Sequence, residues 1–403
     1  MNLITRHAWM DSLTYAPTPE FVRAGTAATE LVVAADPAFD FASAEYRALH
    51  RHSRATAFQA PDWLAALQHD VAPSIGAEPV TIAVRDRTDG RLVMVLPLAR
   101  HRVRSVTFLT FADFGLCDYL GPVYDPADAA LLLADTTLPQ QVAAALPHHD
   151  VLRLDKLAPG DALLEQLFPR ACRARMRVSA YPVKIKSDWE SWRAATLDNG
   201  FRRDLDMKRR RIVRRGAPAF ALLDHPQEIT RAFDALRAFR ATRFKERGAH
   251  DVIDSEAMFS FYRRIAVEGA QDGTARTFCL YLSNEPAAVM FGVADRGTFS
   301  LILVGFDLAR YRRLSIGLLA IEDTLRASFE AGDSVYDFTI GDYSYKTQFG
   351  GQPAALYEWH QARTLRGHAA VLAITLVREA KRTLKPLMKR AKERLTKSAH
   401  AAT

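Results

Sequence analysis

The chain has 403 residues, 49% of them hydrophobic and 25% charged, which excludes bulk disorder, collagen and coiled coil and leaves room for two or three domains with a sizeable core. No run of about 18 apolar residues is present, and the N-terminus lacks the basic and apolar regions of a secretory signal. The cysteines, Cys117, Cys172 and Cys279, are three and far apart, which fits a reducing, cytoplasmic setting and neither a disulfide framework nor a zinc pattern. The net charge is +8, and its distribution is uneven. Residues 202–215 carry eight basic and two acidic side chains, and residues 378–397 carry nine and two, so the rest of the chain is close to −5. Two cationic segments on a mildly acidic body suit a phosphate-bearing partner or a solvated helix face better than a nucleic-acid-coating surface.

Residues 1–40 have weak periodicity and are expected to form a poorly ordered lead-in. Pro61-Asp62-Trp63 predicts a helix start. Val80–Arg85 and Leu92–Leu98 predict strands about the turn Asp86–Gly90, and the second, apolar on both faces, is expected to be central. Val106–Phe111 reads as a further strand, Asp118–Pro122 as a loop, residues 127–145 as helical, Val151–Leu154 as a short strand and residues 161–168 as a helix. Residues 170–195 read as a connection between halves, with a strand at Tyr181–Ile185 and Asp188 capping a helix. The arginine-rich helix comes next and ends at Gly216, then come helices over residues 226–247 and 255–271. The strands Thr277–Leu282, Ala287–Ala294 and Thr298–Phe306 form a meander. A polar loop over Asp307–Ser315, a helix over Ile316–Glu330, a strand over Val335–Ile340, a loop or short helix over Gly341–Gly351 and a strand over Leu356–Ala362 complete it. The order predicts an α/β (α+β) fold with a mixed sheet.

The segment Gly305–Gly317 ends a buried strand and opens a helix. A helix start presents unpaired N–H groups and partial positive charge, so a pyrophosphate could lie there, with Arg310, Arg312 and Arg313 adding charge; the same residues also read as an ordinary helix capped by Ser315. Here the chain resembles the GNAT acyltransferases: Arg312-x-x-Ser315-x-Gly317 is similar to their coenzyme A loop, with serine in place of the middle glycine. The wider pattern resembles the cellulose-biosynthesis (CelD/BcsL-like) branch, related to the Fem peptidyltransferases. It rests on Phe306-Asp307, Ser315-Ile316-Gly317, Gly332, Asp337-Phe338, Gly341-Asp342 and Tyr345-Lys346. The first half adds Phe58–Trp63, Leu96-Pro97-Leu98 and Asp118-Tyr119, and Ile316 replaces the branch's usual proline.

The resemblance implies tandem GNAT-like lobes, each a largely antiparallel mixed sheet flanked by helices. They would comprise a degenerate N-terminal lobe at 41–185, a catalytic C-terminal lobe at 186–365, and a basic amphipathic tail at 366–403. It implies acetyl-CoA or another acyl-CoA as co-substrate, held by Val304, Gly305, Phe306, Arg312, Arg313, Ser315, Ile316 and Gly317. Tyr345, rather than Tyr343, would protonate the departing thiolate. Asp337 and Asp307 are the candidate bases, and Lys346, Asp342 and Arg209 the candidate acceptor-binding residues; each aspartate reads equally as a cap or turn residue. No metal site is expected. The leading expectation is an acyl-CoA-dependent N- or O-acyltransferase acting on a sugar or envelope-polysaccharide precursor. A Fem-like aminoacyltransferase using charged tRNA and a non-catalytic RNA- or polyanion-binding protein are the alternatives, and the tail could attach to an anionic membrane surface.

Overall fold

The structure, a computed structural model, describes residues 31–377. Its strands are β1 (Leu31–Asp36), β2 (Glu78–Asp86), β3 (Leu92–Val103), β4 (Val106–Phe111), β5 (Val123–Tyr124), β6 (Val151–Leu157), β7 (Cys172–Lys184), β8 (Pro218–Leu223), β9 (Ala275–Leu282), β10 (Glu285–Asp295), β11 (Thr298–Phe306), β12 (Val335–Ile340) and β13 (Ala354–Ala362). The helices of the first half are α1 (Ala44–His52), α2 (Pro61–Ala66), α3 (Ala129–Ala134), α4 (Leu138–Ala145) and α5 (Ala162–Leu167). Those of the second half are α6 (Trp189–Thr196), α7 (Asn199–Val213), α8 (Pro226–Arg247), α9 (Glu256–Glu268), α10 (Leu308–Tyr311), α11 (Ile316–Glu330) and α12 (Ser344–Gln348).

All the strands join one open sheet in the order β1-β2-β3-β4-β6-β13-β7-β12-β11-β10-β9-β8, with β5 on β3. Each half repeats one plan: an antiparallel meander, a helical crossover, and a strand returning parallel to the last strand of the meander. In the first half that parallel pair is β4 with β6; in the second it is β11 with β12. The final strand of each half crosses into the other. β7 pairs with β12, and β13 pairs with β6, so the two lobes are joined by an exchange of terminal strands. This is the tandem GNAT-like α/β architecture expected from the sequence.

Three differences from the sequence reading have local causes. Residues 31–36, inside the expected lead-in, form β1, because Leu31 buries against β2 at the sheet edge. Residues 172–184 are not a bare connection but β7, a 13-residue strand whose first half is exposed and arginine-rich, hence without alternation to reveal it. Strand β8 gives no period-2 signal because it is a half-exposed edge strand opening on Pro218. The tail expected from 366 is helical over residues 365–377, and its basic run lies outside the described residues.

The apolar residues join the two halves. On one face of the sheet a single core joins Phe58, Trp63 and Leu67 of the first half to Phe233, Leu236, Phe261 and Tyr262 of the second. Trp63 meets the Phe261 ring edge-on at 4.9 Å, a pairing that adds about 1 kcal/mol beyond its buried area. The opposite face carries two further cores, one per half: α3–α5 cover the first, α6, α7 and α11 the second.

Candidate active site

The central feature of the second half is the place where β11 and β12 part. They pair through Thr298, Phe299 and Ser300 against Val335, Tyr336 and Asp337, and then separate. On its other side β11 slips against β10: Phe291 faces Leu303 but Gly292 faces Leu301, so Ile302 is an extra, bulged residue. Gly292 permits this, since a Cβ there would lie 2.3 Å from the Ser300 carbonyl oxygen. Beyond the bulge, Asp307 N–H donates to Ala287 of the neighbouring chain segment at 2.9 Å, which sets the odd-numbered residues toward β10. The Val304 carbonyl turns the other way and accepts from the Arg240 guanidinium at 3.2 Å. An extended residue aims its N–H and C=O to the same side, so the N–H groups of Val304 and Phe306 face the gap, while that of Gly305 faces β10.

Helix α11 opens beside this gap. The loop before it is α10 and a 3-10 turn at Arg312–Leu314, compact rather than irregular. Asp307 is buried and organises it. One carboxylate oxygen accepts the Arg310 backbone N–H at 2.9 Å and the other pairs with the Arg310 guanidinium, so this carboxylate shapes the loop and has little room to act as a base. Ser315 does not cap α11. It sits in the left-handed region at φ 52°, and no side chain caps the helix; the Ser315 carbonyl accepts the Leu318 N–H at 3.0 Å. Ile316 is fully buried, and Gly317 lets the Phe306 ring lie against the helix start, because a Cβ there would come within 2.9 Å of it. Arg312 and Arg313 are exposed, and Arg312 pairs with Glu246 at 2.7 Å.

On β12, Asp337 is 6% exposed. Its carboxylate accepts the Thr339 N–H at 2.8 Å and the Tyr119 hydroxyl at 2.5 Å. Burial pushes its pKa up to about 6, against the opposing effect of those two donors. Thr339, at φ 57°, bridges the gap: its hydroxyl donates to the Leu301 carbonyl at 3.1 Å. Lys346 is buried beneath, donating to the carbonyls of Thr339 at 3.0 Å and Ile340 at 2.9 Å, and burial lowers its pKa to about 8. Tyr345 stands half-buried between the Phe338 and Tyr343 rings; burial holds its phenol protonated, with a pKa of about 12, and the charge of Arg243 opposes that shift.

The geometry therefore places Asp337 and Lys346 on the β12 side of the gap and the α11 start against Phe306 on the β11 side, with Tyr345 next to Lys346 on α12. Two other candidates are taken up in other contacts. Asp342 accepts from the Ser179 N–H at 3.1 Å and the Tyr181 hydroxyl at 2.9 Å, pinning the turn after β12 to β7. Arg209 is held by Asp323 and Glu322 of α11, at 2.7 and 2.8 Å. Tyr119, Asp118, Thr339 and Arg240 had no assigned role in the sequence reading; Asp118-Tyr119 stood out only as a motif of the resemblance. Among the described residues, no group of His, Cys, Asp and Glu side chains is arranged to hold a metal ion, and no helix is long and apolar enough to cross a membrane.

Comparison with known proteins bears on the fold. Residues 199–347 match the family described as "Acetyltransferase (GNAT) domain". No curated protein matches the chain. Among solved structures, FemX is similar at 13% identity and a TM-score of 0.55, covering 79% of this chain and 95% of that one. A conserved protein of unknown function from Bacteroides thetaiotaomicron is similar at 10% identity and a TM-score of 0.51, covering 82% and 100%. L-PGS from Bacillus licheniformis is similar at 12% identity and a TM-score of 0.50, covering 83% and 96%. At these identities the likeness is one of fold. From α7 to α12, then, the chain is similar to the GNAT acetyltransferase domain, and its two lobes share a tandem GNAT-like fold.

Proposed function

We propose that the protein is an acyl-CoA-dependent N- or O-acyltransferase whose acceptor is a sugar or a cell-envelope polysaccharide precursor. The observation that carries the reading is the parting of β11 from β12 beside the uncapped start of α11. An acyl thioester laid along the free edge of β11 has its carbonyl oxygen within reach of the Val304 and Phe306 N–H groups, which stabilise negative charge as it develops. The diphosphate takes the first turn of α11, with Arg312 and Arg313 at its flank. Asp337 accepts the proton of the attacking amine or hydroxyl, the new bond to the acyl carbon forms, the C–S bond breaks, and the Tyr345 hydroxyl protonates the thiolate. Two titrating groups pushed in useful directions, a carboxyl near pH 6 and a phenol that stays protonated, fit these opposite roles.

The test is thermal stabilisation by acetyl-CoA, measured beside coenzyme A, charged tRNA and uncharged tRNA. Stabilisation by acetyl-CoA that weakens in Arg312→Ala supports the reading. A response to charged tRNA alone favours the Fem-like alternative, for which the exposed Arg203, Arg210, Arg211, Arg214 and Arg215, on α7 and the turn after it, offer a phosphate-binding face. Separately, the exposed Leu365, Leu372 and Leu376 of the last described helix support peripheral contact with an anionic membrane from the cytoplasmic side. Co-sedimentation with phosphatidylglycerol vesicles but not phosphatidylcholine vesicles is the expected result.

A further inference from the structure

We propose that the N-terminal lobe completes the C-terminal site: Tyr119, on the loop after β4, is a positioning residue that orients Asp337 for proton abstraction from the acceptor, with Asp118 beside it. The claim rests on the acyltransferase reading above and adds a role for the lobe that the resemblance treats as degenerate.

The loop between β4 and β5 is held from several sides through its main chain. The Gln59 amide donates to the Tyr119 carbonyl at 2.7 Å, the Tyr262 hydroxyl to the Leu116 carbonyl at 3.3 Å, and the Lys156 ammonium to the Cys117 carbonyl at 2.5 Å. The Leu120 N–H donates to the Lys156 carbonyl at 3.2 Å, and the Trp63 indole N–H meets the Cys117 sulfur at 3.3 Å. With its backbone fixed, the loop extends two polar side chains across the lobe boundary. The Tyr119 hydroxyl reaches Asp337, 218 positions later in the chain, and the Asp118 carboxyl lies beside the Thr339 hydroxyl and near Lys346.

Such an arrangement is more than a way of filling space. A buried Asp337 with a single donor could rotate; with the Thr339 N–H on one oxygen and Tyr119 on the other, its plane is fixed. Tyr119 is kept protonated by burial and by the facing carboxylates, so it remains a donor. The charged groups that act on Asp337 come from two other elements: Asp118 on the loop, which raises its proton affinity, and Lys346 on α12, which lowers it. Asp113 and Lys156, one step further back, act on Asp118. In each cycle Asp337 takes one proton from the acceptor and returns it to solvent, while Tyr119 keeps its own.

The experiment uses the full chain carrying 13C-carboxyl aspartate, with the Asp337 signal assigned by its loss in Asp337→Asn. Carboxyl titration without donor, and the pH dependence of thiol release from acetyl-CoA with an amino-sugar panel as acceptors, are followed in parallel. Tyr119→Phe removes a donor from the carboxylate, so its Asp337 midpoint should rise by about one pH unit, and the acid limb of the rate profile should rise by the same amount. Asp118→Asn should move both downward. It is also the second route should Tyr119→Phe not fold. Acetyl-CoA stabilisation should be unchanged in either variant. An unmoved midpoint overturns the proposal, as does a midpoint that moves while the rate profile stays. Wild-type protein that acetyl-CoA does not stabilise overturns the donor reading instead, and the role of Tyr119 in catalysis falls with it.

Discussion

The two halves contain the same junction, a short parallel pair that separates after three residue pairs: β4 with β6, and β11 with β12. In each, the returning strand carries one left-handed residue near its end, Lys156 at φ 59° and Thr339 at φ 57°. The halves differ in the segment that leaves the first strand of the pair. After β4 the chain folds back as a loop, tied down where the Lys156 ammonium meets the Asp113 carboxylate and the Cys117 carbonyl, both at 2.5 Å. After β11 it goes straight into a compact turn and a 15-residue helix with an uncapped start. One topology thus supports two outcomes, a junction closed by its own loop and a junction flanked by the uncapped start of a helix. The side chains after the strand decide which, and the closed junction lends its loop to the open one.

Removing the proposed base of the open junction should have the largest effect. Asp337→Asn should lower turnover of acetyl-CoA by about 10²–10⁴-fold, the range expected for a lost general base. The same variant should be more stable than the parent at neutral pH. The folded protein holds the Asp337 proton up to about pH 6, whereas an unfolded carboxyl releases it near 4, so stability from this group is present at low pH and is lost as pH rises through about 6. Urea unfolding at pH 5 and pH 8 measures this, and a variant whose stability relative to the parent does not change with pH would break the assignment. Activity has the opposite sign and should climb through the same interval, as the carboxylate forms.

Disturbing the closed junction comes next. Lys156→Ala leaves the Asp113 carboxylate without its cation and frees the loop, and should cost about 3 kcal/mol by denaturant unfolding. If Tyr119 acts as proposed, the surviving folded protein should also lose turnover, although Lys156 does not touch the open junction. Smaller again is Ser315→Gly, which relieves a left-handed serine and should stabilise by about 1 kcal/mol. Acetyl-CoA affinity in that variant shows whether the serine hinders the loop's grip. Smallest is Arg312→Ala. Its exposed pair with Glu246 is worth about 0.5 kcal/mol or less, so weakened coenzyme A binding at nearly unchanged stability separates a ligand contact from a structural one.

The second half was the more legible from sequence. Strands β9 to β12 are short apolar runs and helix α11 repeats with a helical period, all bounded by turn residues, so Thr298–Phe306, Ile316–Glu330 and Val335–Ile340 emerge with the bounds the structure has. Asp337 and Lys346 could be picked out because a charged residue amid an apolar strand or beside a paired motif is conspicuous. Tyr119 could be seen only as part of a motif, since its partner lies on the far half of the chain. Asp307, Asp342 and Arg209 have the right chemistry, but their hydrogen bonds and ion pairs are already taken by Arg310, by Ser179 and Tyr181, and by Asp323 with Glu322.

Local periodicity, turn chemistry and charge runs, properties of near neighbours along the chain, determined the elements, the α/β class and the position of the cofactor-like loop. The exchange of β7 and β13 between the lobes, the parting of β11 from β12 after Ser300, and the meeting of Tyr119 with Asp337 were decided only in three dimensions. Each depends on which distant segments share a core. That is settled by burying the common face of Trp63, Phe233 and Phe261, a balance summed over the whole molecule that no single stretch of residues encodes.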